Sequence, residues 1–370
     1  MATKITCSEG PTVTHRSDLS TLYKILKTAL RPLRSHIISI KGGYPAGSPR
    51  LEKHPRRIGN VSVEERRVEI FPSSEPTSEP NTNAEPKEHK EILWVYDFNS
   101  PVEPTRGRAK DDNKDSHTIY YFAGGGFQMP PSSEQWKFCA HLASSLAPSK
   151  RVVLISYPLA PNSPAHDSLP ILRRWLAQAL QRAEAEHGIV SLVGDSAGGN
   201  VALSLGLWRA DQLAVARRDA EADAAVSPSR TRLRSVVAIS PPNDMRNRNP
   251  AAPLADAQDP VLGKPVTDGA ARAWSLGSDK DDPYLSPNLA DLANLKASGM
   301  SVYGVIGTAD VLAPDGLIFL EKCKEQGVKG EWLVWEGQMH CFPIAACHGL
   351  KKGKEGREWV ERALREVTYR

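Results

Sequence analysis

The chain contains a repeated succession of short apolar runs separated by segments of helical periodicity. From residue 118 onward these runs are almost continuous in Val, Ile, Leu and aromatic residues, which is typical of parallel strands buried on both faces. Strands that alternate with helices are joined by right-handed crossovers, which place helices on both faces of a sheet. We therefore predict an α/β fold with an eight-stranded, mostly parallel sheet. Its strands are expected at residues 61–71, 91–98, 118–122, 151–157, 189–193, 235–239, 301–306 and 331–335.

Composition excludes several classes of protein. With 47 Lys and Arg against 43 Asp and Glu, the net charge of +4 over 370 residues is too dilute to indicate nucleic-acid binding. No apolar stretch approaches the ~18 residues of a membrane-spanning helix, and residues 1–11 lack the apolar core of a secretory signal. We expect a cytoplasmic protein with no nucleic-acid partner and no integral membrane span.

The cysteines are odd in number and scattered, which favours a reduced, intracellular protein over a disulfide framework. Cys341 and Cys347 lie beside His340 and His348, which together supply the residue types of a metal site. This cluster lacks a C-x-x-C pair and compresses all its ligands into nine residues, so we predict no metal. The five cysteines are Cys7, Cys139, Cys323, Cys341 and Cys347.

Two polar tracts lie in the N-terminal third. Residues 72–90 are rich in Pro, Ser and Glu, and residues 99–117 contain prolines and a charge cluster. Neither tract can bury a core, so both are predicted to be solvated loops. We expect an N-terminal helical cap segment at residues 1–55 and a catalytic domain at residues 56–370.

Two further segments fall outside the strand–helix rhythm and are candidates for a cap. Residues 18–40 have apolar positions at helical spacing with basic residues between them. Residues 244–285 lie between the sixth and the seventh predicted strand. A basic amphipathic helix at 18–40 is also compatible with binding to a membrane surface, although Pro32 breaks the helical pattern.

The run Gly194-Asp195-Ser196-Ala197-Gly198 is the only match to G-x-S-x-G in the chain. It directly follows an apolar strand and directly precedes a helix, where a nucleophilic serine must occupy a tight, strained turn. The small residues at −2 and +2 let strand and helix approach closely. The N-terminus of the helix directs free N–H groups at the reacting oxygen. The motif therefore predicts Ser196 as a nucleophile.

A nucleophilic serine needs a histidine to take its proton and a carboxylate to orient that histidine. Only His340 and His348 follow Ser196 in the sequence. His340 comes after the last strand, on a loop that can bring an imidazole over the carboxyl edge of the sheet. His348 lies beyond Phe342-Pro343 and is the less favoured alternative.

The candidate acid is Asp310, at the carboxyl end of the seventh strand. Its position gives the chain order Ser, Asp, His that this type of strand–serine–helix turn requires. Asp315, one helical turn later, and Asp244, after the sixth strand, are the alternatives. A lone Asp at a strand end is more often a helix cap, so the preference for Asp310 depends on its agreement with Ser196 and His340.

The third strand ends in Gly124-Gly125-Gly126. Backbone N–H groups that are to face the oxygen of a tetrahedral intermediate need a loop without obstructing Cβ atoms, which three glycines supply. The amide of Ala197, the residue after the nucleophile, is the expected further donor.

With these motifs in order over about residues 90–370, the chain resembles the hormone-sensitive-lipase-like branch of the α/β-hydrolases. The motifs are Gly124-Gly125-Gly126-Phe127, Tyr157-Pro158-Leu159-Ala160-Pro161, Gly194-Asp195-Ser196-Ala197-Gly198-Gly199-Asn200, Gly307-Thr308-Ala309-Asp310 and His340-Cys341-Phe342. The resemblance implies an α/β-hydrolase fold with a helical cap, and a carboxylesterase or lipase-type serine hydrolase that needs no cofactor. By position it implies the nucleophile Ser196, the acid Asp310, the base His340 and an oxyanion hole of Gly124, Gly125 and Ala197.

The chain departs from the family pattern at three places. Ala123 replaces the usual His before the three glycines, which leaves open how the glycine loop is braced. Cys341 replaces the usual Gly after the catalytic His, and Asn162-Ser163 replaces a common Glu-His pair. The polar insertions before residue 118 resemble those of fungal members.

The expected reaction is hydrolysis of a small-molecule carboxylic ester through an acyl-enzyme. Two alternatives stay open at this point. The same three residues could serve acyl transfer, cyclisation or condensation in a biosynthetic, secondary-metabolite pathway, because pocket shape and water exclusion choose the acceptor. The fold could also serve as a non-catalytic small-molecule receptor. The sequence leaves open whether the protein is a homodimer.

Overall fold

The computed structural model describes residues 2–5, 10–34, 40, 43–71, 90–101, 116–222 and 231–367. Within these residues the chain forms one sheet of eleven strands, ordered β1-β2-β11-β10-β9-β8-β6-β7-β5-β4-β3. The strands from β2 through β7 in this order run parallel, and the outer pairings are antiparallel. The strands are β1 Ala2–Ile5, β2 Thr12–Arg16, β3 Arg57–Ile58, β4 Val61–Ile70, β5 Glu91–Asn99, β6 His117–Phe122, β7 Lys150–Ser156, β8 Ile189–Asp195, β9 Leu233–Ile239, β10 Ser301–Gly307 and β11 Glu331–Trp335.

All eight predicted strands are present, as β4 to β11. The strand count of eight is too low, because β1, β2 and β3 extend the sheet at its two edges. The prediction of a helical segment over residues 1–55 is accordingly wrong for β1 and β2, which place a strand beside β11. β1 and β3 are the edge strands, which need no continuous apolar run because one side of the ladder and one face can be solvated. β2 lies between β1 and β11 and is short and mostly polar. In β2 only Val13 is fully buried.

Helices cover both faces of the sheet. The side chains of α3, α4 and α8 pack on one face in a core that includes Trp175, Leu205 and Phe319, and α2 and α9 pack on the other face around Trp136 and Val360. The helices are α1 Thr21–Leu30, α2 Ser133–Leu146, α3 Ala165–Ala185, α4 Ala197–Ala222, α5 Ala252–Gln258, α6 Lys264–Trp274, α7 Ala293–Ser298, α8 Ala313–Glu325 and α9 Lys351–Glu366, with 3₁₀ turns at Arg31–Leu33, Pro287–Leu289 and Ile344–His348.

The predicted cap segments contain three of these helices. The insertion at 244–285 contains α5 and α6, and the segment at 18–40 contains α1, which passes into the 3₁₀ turn at Pro32. None of the helices in the described residues is both long and apolar enough to span a membrane. Binding of the 18–40 segment to a membrane surface stays a prediction. Most of the predicted polar loops 72–90 and 99–117 lies outside the described residues.

Candidate active site

Ser196 stands in the turn between β8 and α4 with a φ of 50°. This left-handed conformation is strained for a residue other than glycine. It is held because the Ser196 amide donates to the carbonyl oxygen of Ile239 (2.8 Å) and the Ser196 carbonyl accepts from the amides of Gly199 (2.9 Å) and Asn200 (3.2 Å). The hydroxyl side of the turn lines a cavity above the carboxyl edge of the sheet.

Gly194 and Gly198 are needed because backbone approaches backbone on both sides of Ser196. A Cβ on Gly194 would collide with the carbonyl oxygen of Gly198, and a Cβ on Gly198 would collide with the carbonyl oxygen of Phe122. Strand β8, strand β6 and helix α4 can therefore meet at this point only if both positions lack a side chain. The strand–turn–helix context predicted for the motif is present in the structure.

Asp310 and His340 are joined in the same site by a buried hydrogen bond. His340 Nδ1 lies 2.8 Å from Asp310 Oδ2, and the two side chains are only 6% and 1% exposed. The other carboxylate oxygen of Asp310 accepts from the amide of Leu312 (2.9 Å). Because both carboxylate oxygens are occupied, the carboxylate is fixed in position and can orient the imidazole.

His340 and Ser196 line the same cavity. Among the described contacts, His340 Nε2 lies 3.4 Å from Cys341 Sγ, and no hydrogen bond joins it to the Ser196 hydroxyl. In free hydrolases the bond from nucleophile to base is often long and shortens only when substrate is bound. Cys341 has a φ of 47°, and its amide donates to Ser240 Oγ (3.1 Å).

The electrostatics of the site favour the protonated imidazole. Burial lowers the pKa of His340, but the Asp310 carboxylate and the Cys341 sulfur outweigh burial, so the pKa of His340 lies well above its ordinary value. Burial raises the pKa of the Cys341 thiol to about 11. The thiol is therefore neutral near pH 7, while the imidazole is a strong proton acceptor.

The alternatives considered for base and acid are engaged elsewhere. The side chain of His348 is 58% exposed and lies 3.4 Å from Glu134. Asp315 accepts from the Asn249 amide nitrogen (2.7 Å), and burial raises the pKa of Asp315 to about 6. Asp244 is paired with Arg246 at 2.6 Å. Of the candidate carboxylates, Asp310 is the one hydrogen-bonded to His340.

The structure contradicts the prediction for Gly124. Its amide donates to Asp195 Oδ1 (2.9 Å), so it cannot serve as a donor to an oxyanion. The Asp195 carboxylate also accepts from the Tyr121 hydroxyl and from Gln135 Nε2 (2.9 Å). Burial raises the pKa of Asp195, although these donors act against the rise. A buried carboxylate takes every donor within reach, and Gly124 is one of them.

This network also answers how the glycine loop is braced without the usual histidine at position 123. Asp195 and its donors hold the start of the loop, and the Tyr157 hydroxyl donates to the carbonyl oxygen of Ala123 (2.9 Å). The end of the loop is held by the Ala160 amide, which donates to the carbonyl oxygen of Phe127 (2.8 Å). No sequence motif marks Tyr121 or Gln135 as part of this network.

The amides of Gly125, Gly126 and Ala197 have no protein acceptor in the described part of the chain, and all three residues line the cavity. Gly125 and Gly126 have positive φ values of 129° and 60°. A Cβ on Gly125 would approach the carbonyl oxygen of Met129 to 2.8 Å. Glycine is thus required at Gly125 for both conformation and space, and the loop leaves N–H groups available beside Ser196.

The cavity has a volume of about 660 Å³. Its walls are mostly apolar and come partly from the cap helices and partly from the loops of the sheet, including Leu30, Met129, Met245, Leu262, Leu312 and Met339. Phe127 stacks on Trp274 of α6, with ring centroids 4.5 Å apart and planes 8° from parallel. The insertion at 244–285 is therefore packed directly against the glycine loop.

Glu134, Cys347 and His348 lie near the cavity with ligand atoms within 4.8 Å of one another. They supply three ligands, one fewer than a structural zinc site contains. Because His348 is mostly exposed and already paired with Glu134, we interpret the group as a surface ion pair. Sequence analysis considered Cys347 and His348 but had no signal for Glu134, which comes from α2.

This fold and site define an α/β hydrolase, and comparison with known proteins agrees. A family model described as alpha/beta hydrolase fold matches residues 119–344, more than half of the chain, so the chain belongs to this family. An ethyl acetate hydrolase from Pseudomonas putida is 24% identical over 269 residues, 72% of this chain and 78% of that protein.

Solved structures show the same fold. An esterase/lipase from an uncultured bacterium has a TM-score of 0.61 at 21% identity, covering 94% of this chain and 99% of that chain. An esterase from the bacterial hormone-sensitive lipase family has a TM-score of 0.57 at 20% identity, covering 82% and 84%. The predicted α/β-hydrolase fold is confirmed.

Proposed function

We propose that this protein is a carboxylic ester hydrolase that acts through an acyl-enzyme on Ser196, with His340 as base and Asp310 as acid. The observation that carries the proposal is the buried 2.8 Å hydrogen bond between His340 and Asp310, formed at the wall of a cavity that Ser196 also lines. The relationship to an ethyl acetate hydrolase and to esterase structures supports an ester as substrate.

In the first half of the reaction the neutral form of His340, which is populated above its raised pKa, takes the proton of the Ser196 hydroxyl at Nε2. The serine oxygen attacks the ester carbonyl carbon. The carbonyl oxygen becomes an oxyanion and accepts hydrogen bonds from the free amides of Gly125, Gly126 and Ala197. Each such donor contributes about 3–4 kcal/mol to lowering the barrier. His340 then gives its proton to the leaving alcohol, and an acyl-Ser196 ester remains.

In the second half His340 takes a proton from water, and the resulting hydroxide attacks the acyl carbon. The same amides stabilise the second oxyanion. Collapse of this intermediate breaks the bond to Ser196 and releases the acid, while His340 returns its proton to the serine oxygen. Asp310 stays ionised throughout and stabilises the imidazolium that forms in both halves.

The cavity supports esters of small to medium size with apolar groups. A volume of about 660 Å³ falls within the ~300–1,000 Å³ typical of small-molecule sites, and its walls are mainly aliphatic. We propose that the cap, formed by α1, α5 and α6, sets the size of the substrate.

The test is the substitution Ser196→Ala, assayed on p-nitrophenyl acetate and butyrate and by labelling with a fluorophosphonate. We expect the variant to lose all labelling and at least about 10⁴-fold of its turnover, with an unchanged thermal transition. Ser145→Ala is the matched control, since Ser145 does not line the cavity and its hydroxyl bonds to the Leu142 carbonyl of its own helix and to Glu361 of α9. Full activity of Ser196→Ala would refute the nucleophile.

The two alternatives give different outcomes in the same assays. Labelling without ester turnover would indicate an acyl-transfer, cyclisation or condensation enzyme that excludes water from the acyl-enzyme. Binding of a small ester without labelling would indicate a receptor.

A further inference from the structure

Asp259 is a fully buried carboxylate that the cap insertion places against the loop of the candidate acid. It follows α5 and is 0% exposed. Its Oδ1 accepts from the amides of Val261 (2.8 Å) and Leu262 (2.9 Å). Its Oδ2 accepts from the amide of Val311 (2.9 Å), the residue that directly follows Asp310. One side chain of the cap thus holds the backbone next to the acid.

The surroundings of Asp259 form a small buried group of charges. Burial, with a further contribution from the negative charge of Asp310, raises the pKa of Asp259 to about 7, while His340 acts in the opposite direction. From α1, Lys27 and Tyr23 face the same carboxylate. The other groups near it are Asp256 on α5 and Arg34, whose guanidinium contacts the backbone oxygens of Asp256 (2.6 Å) and Asp259 (3.5 Å).

Two buried carboxylates therefore lie at the acid loop: Asp310 bonds to the imidazole, and Asp259 bonds to the backbone amide beside Asp310. The proposed mechanism engages only Asp310. We propose that Asp259 is a positioning residue for the acid–base pair, which fixes the Asp310 loop through the Val311 amide and, when ionised, adds a second negative charge that stabilises the His340 imidazolium. This inference rests on the proposed roles of Asp310 and His340. It assigns to the cap a part in catalysis in addition to shaping the cavity.

The sign of the pH effect follows from the charge. Once it is ionised, Asp259 raises the pKa of His340 and stabilises the transition state in which the imidazolium forms. Asp259→Asn removes this charge at every pH. The acid limb of the pH profile of kcat/KM reports the pKa of the base in the free enzyme. In Asp259→Asn this limb should move to lower pH, and kcat should fall because His340 is then a weaker base.

The experiment compares Asp259→Asn with wild type from about pH 5 to pH 10. The readouts are turnover of p-nitrophenyl butyrate and the rate of fluorophosphonate labelling. We expect kcat to fall by about tenfold to a hundredfold, with KM changed by less than about threefold. Both acid limbs should shift down by about one pH unit.

Asp256→Asn is the matched control. It removes a carboxylate from the same helix, one that bonds to the Lys264 amide (2.8 Å) and pairs with Arg34 (3.2 Å) but not with the Asp310 loop. Asp256→Asn should have the same acid limb of the pH profile and the same kcat as wild type. Asp259→Glu, which keeps the charge, should lose kcat but retain the wild-type limb, and it serves as the test if Asp259→Asn does not fold.

The inference would be overturned if the acid limb of Asp259→Asn did not shift. It would also be overturned if the acid limb of Asp259→Glu shifted by the full amount expected for Asp259→Asn, because Glu keeps the charge. The failure of the proposed function is a separate outcome. If the wild type neither turns over esters nor takes the label, the roles of Ser196 and His340 are wrong. If it takes the label without turnover, the pH dependence of labelling still tests Asp259.

Discussion

The turn that carries Ser196 and the loop that carries His340 meet at one cavity but are specified in different ways. The turn depends mainly on residues contiguous in sequence, because Gly194 and Gly198 allow the close backbone contacts around it, and β9 adds one carbonyl, that of Ile239, as acceptor for the Ser196 amide. The His340 loop is held by contacts from distant parts of the chain. Its neighbour Met339 donates to the Tyr23 hydroxyl of α1 (3.1 Å), and the Cys341 amide donates to Ser240 (3.1 Å).

The loops of Asp310 and His340 are also joined to each other. The Ala309 amide donates to the carbonyl oxygen of Gln338 (2.9 Å), and the Gly337 amide donates to Thr308 Oγ1 (2.9 Å). A Cβ on Gly307 would lie 2.5 Å from the Gln338 carbonyl oxygen. Local sequence can therefore be enough to place the proposed nucleophile, whereas the proposed acid–base pair depends on the packing of several segments.

The largest expected effect tests the second half of this comparison. Asp310→Asn should keep the fold but lower kcat by about 10⁴-fold, because the imidazole loses its orienting acceptor and the correct tautomer. Asp315→Asn, which alters a buried carboxylate on the adjacent helix, is the control and should retain most activity. The measurement is steady-state hydrolysis of p-nitrophenyl butyrate. A collapse of activity in Asp315→Asn or Asp244→Asn alone would assign the acid elsewhere.

The next effect tests the nucleophile turn. A methyl group on Gly198 would collide with backbone of β6, so Gly198→Ala should lower the free energy of unfolding by about 3 kcal/mol. It should also lower kcat by about a hundredfold through displacement of Ser196. Denaturant unfolding and ester turnover are the measurements.

Gly269→Ala provides the matched control for that substitution. Gly269 is also helical, in α6, and the nearest atom to an added Cβ is 3.9 Å away. The control should be as stable as wild type or more stable by about 0.5–1 kcal/mol, since Ala favours helix. If Gly198→Ala behaved like Gly269→Ala, the turn would not depend on the close contact.

The comparison also explains which parts of the molecule the sequence could predict. The prediction of Ser196 depends on a motif, a strand and a helix that are contiguous in sequence. The predictions of His340 and Asp310 depend on chain order and strand ends, and in the structure the two side chains are hydrogen-bonded to each other. Gly124 was assigned wrongly because its amide donates to Asp195, at the end of the neighbouring strand β8. A glycine run does not reveal which of its amides is already bonded.

Residues that act through long-range contacts were missed for the same reason. Asp259 reaches Val311 across 52 positions of sequence, and only an Asp-Pro pair in an irregular insertion marks it. Strands β1 and β2 were missed because both are short and lack an apolar run, although β1 at the edge and β2 beside it complete the ladder next to β11. These features depend on which segments become neighbours, and periodicity along the chain carries no information on that.

A smaller effect is expected from the brace of the glycine loop. Tyr121→Phe removes a donor from the buried Asp195 carboxylate and should cost about 1–3 kcal/mol of folding free energy. Burial raises the pKa of Asp195 above its ordinary value. The folded protein therefore holds this proton more tightly than the unfolded chain does, and the free energy of unfolding of the wild type falls as the pH rises and the buried carboxyl ionises. The Tyr121 hydroxyl favours the ionised form, so the loss in Tyr121→Phe should be greater at about pH 8 than at about pH 5.

The control for this prediction is Tyr120→Phe, the adjacent residue of β6, whose ring packs edge-on against Trp175. Its loss of stability should be smaller and should not grow with pH. Equal and pH-independent losses in the two variants, measured by urea unfolding, would show that Asp195 does not depend on the Tyr121 hydroxyl.

The smallest effect concerns the contact between α1 and the His340 loop. Tyr23→Phe removes the acceptor of the Met339 amide, which should lower the free energy of unfolding by about 1 kcal/mol and kcat by about threefold. Tyr303→Phe, in β10, changes the same atom away from this loop and should leave kcat unchanged. Met339 directly precedes His340. A loss of stability in Tyr23→Phe without any loss of kcat would therefore mean that α1 contributes to stability and not to the position of the imidazole. A loss of kcat at constant KM would show that the cap segment helps to place the imidazole.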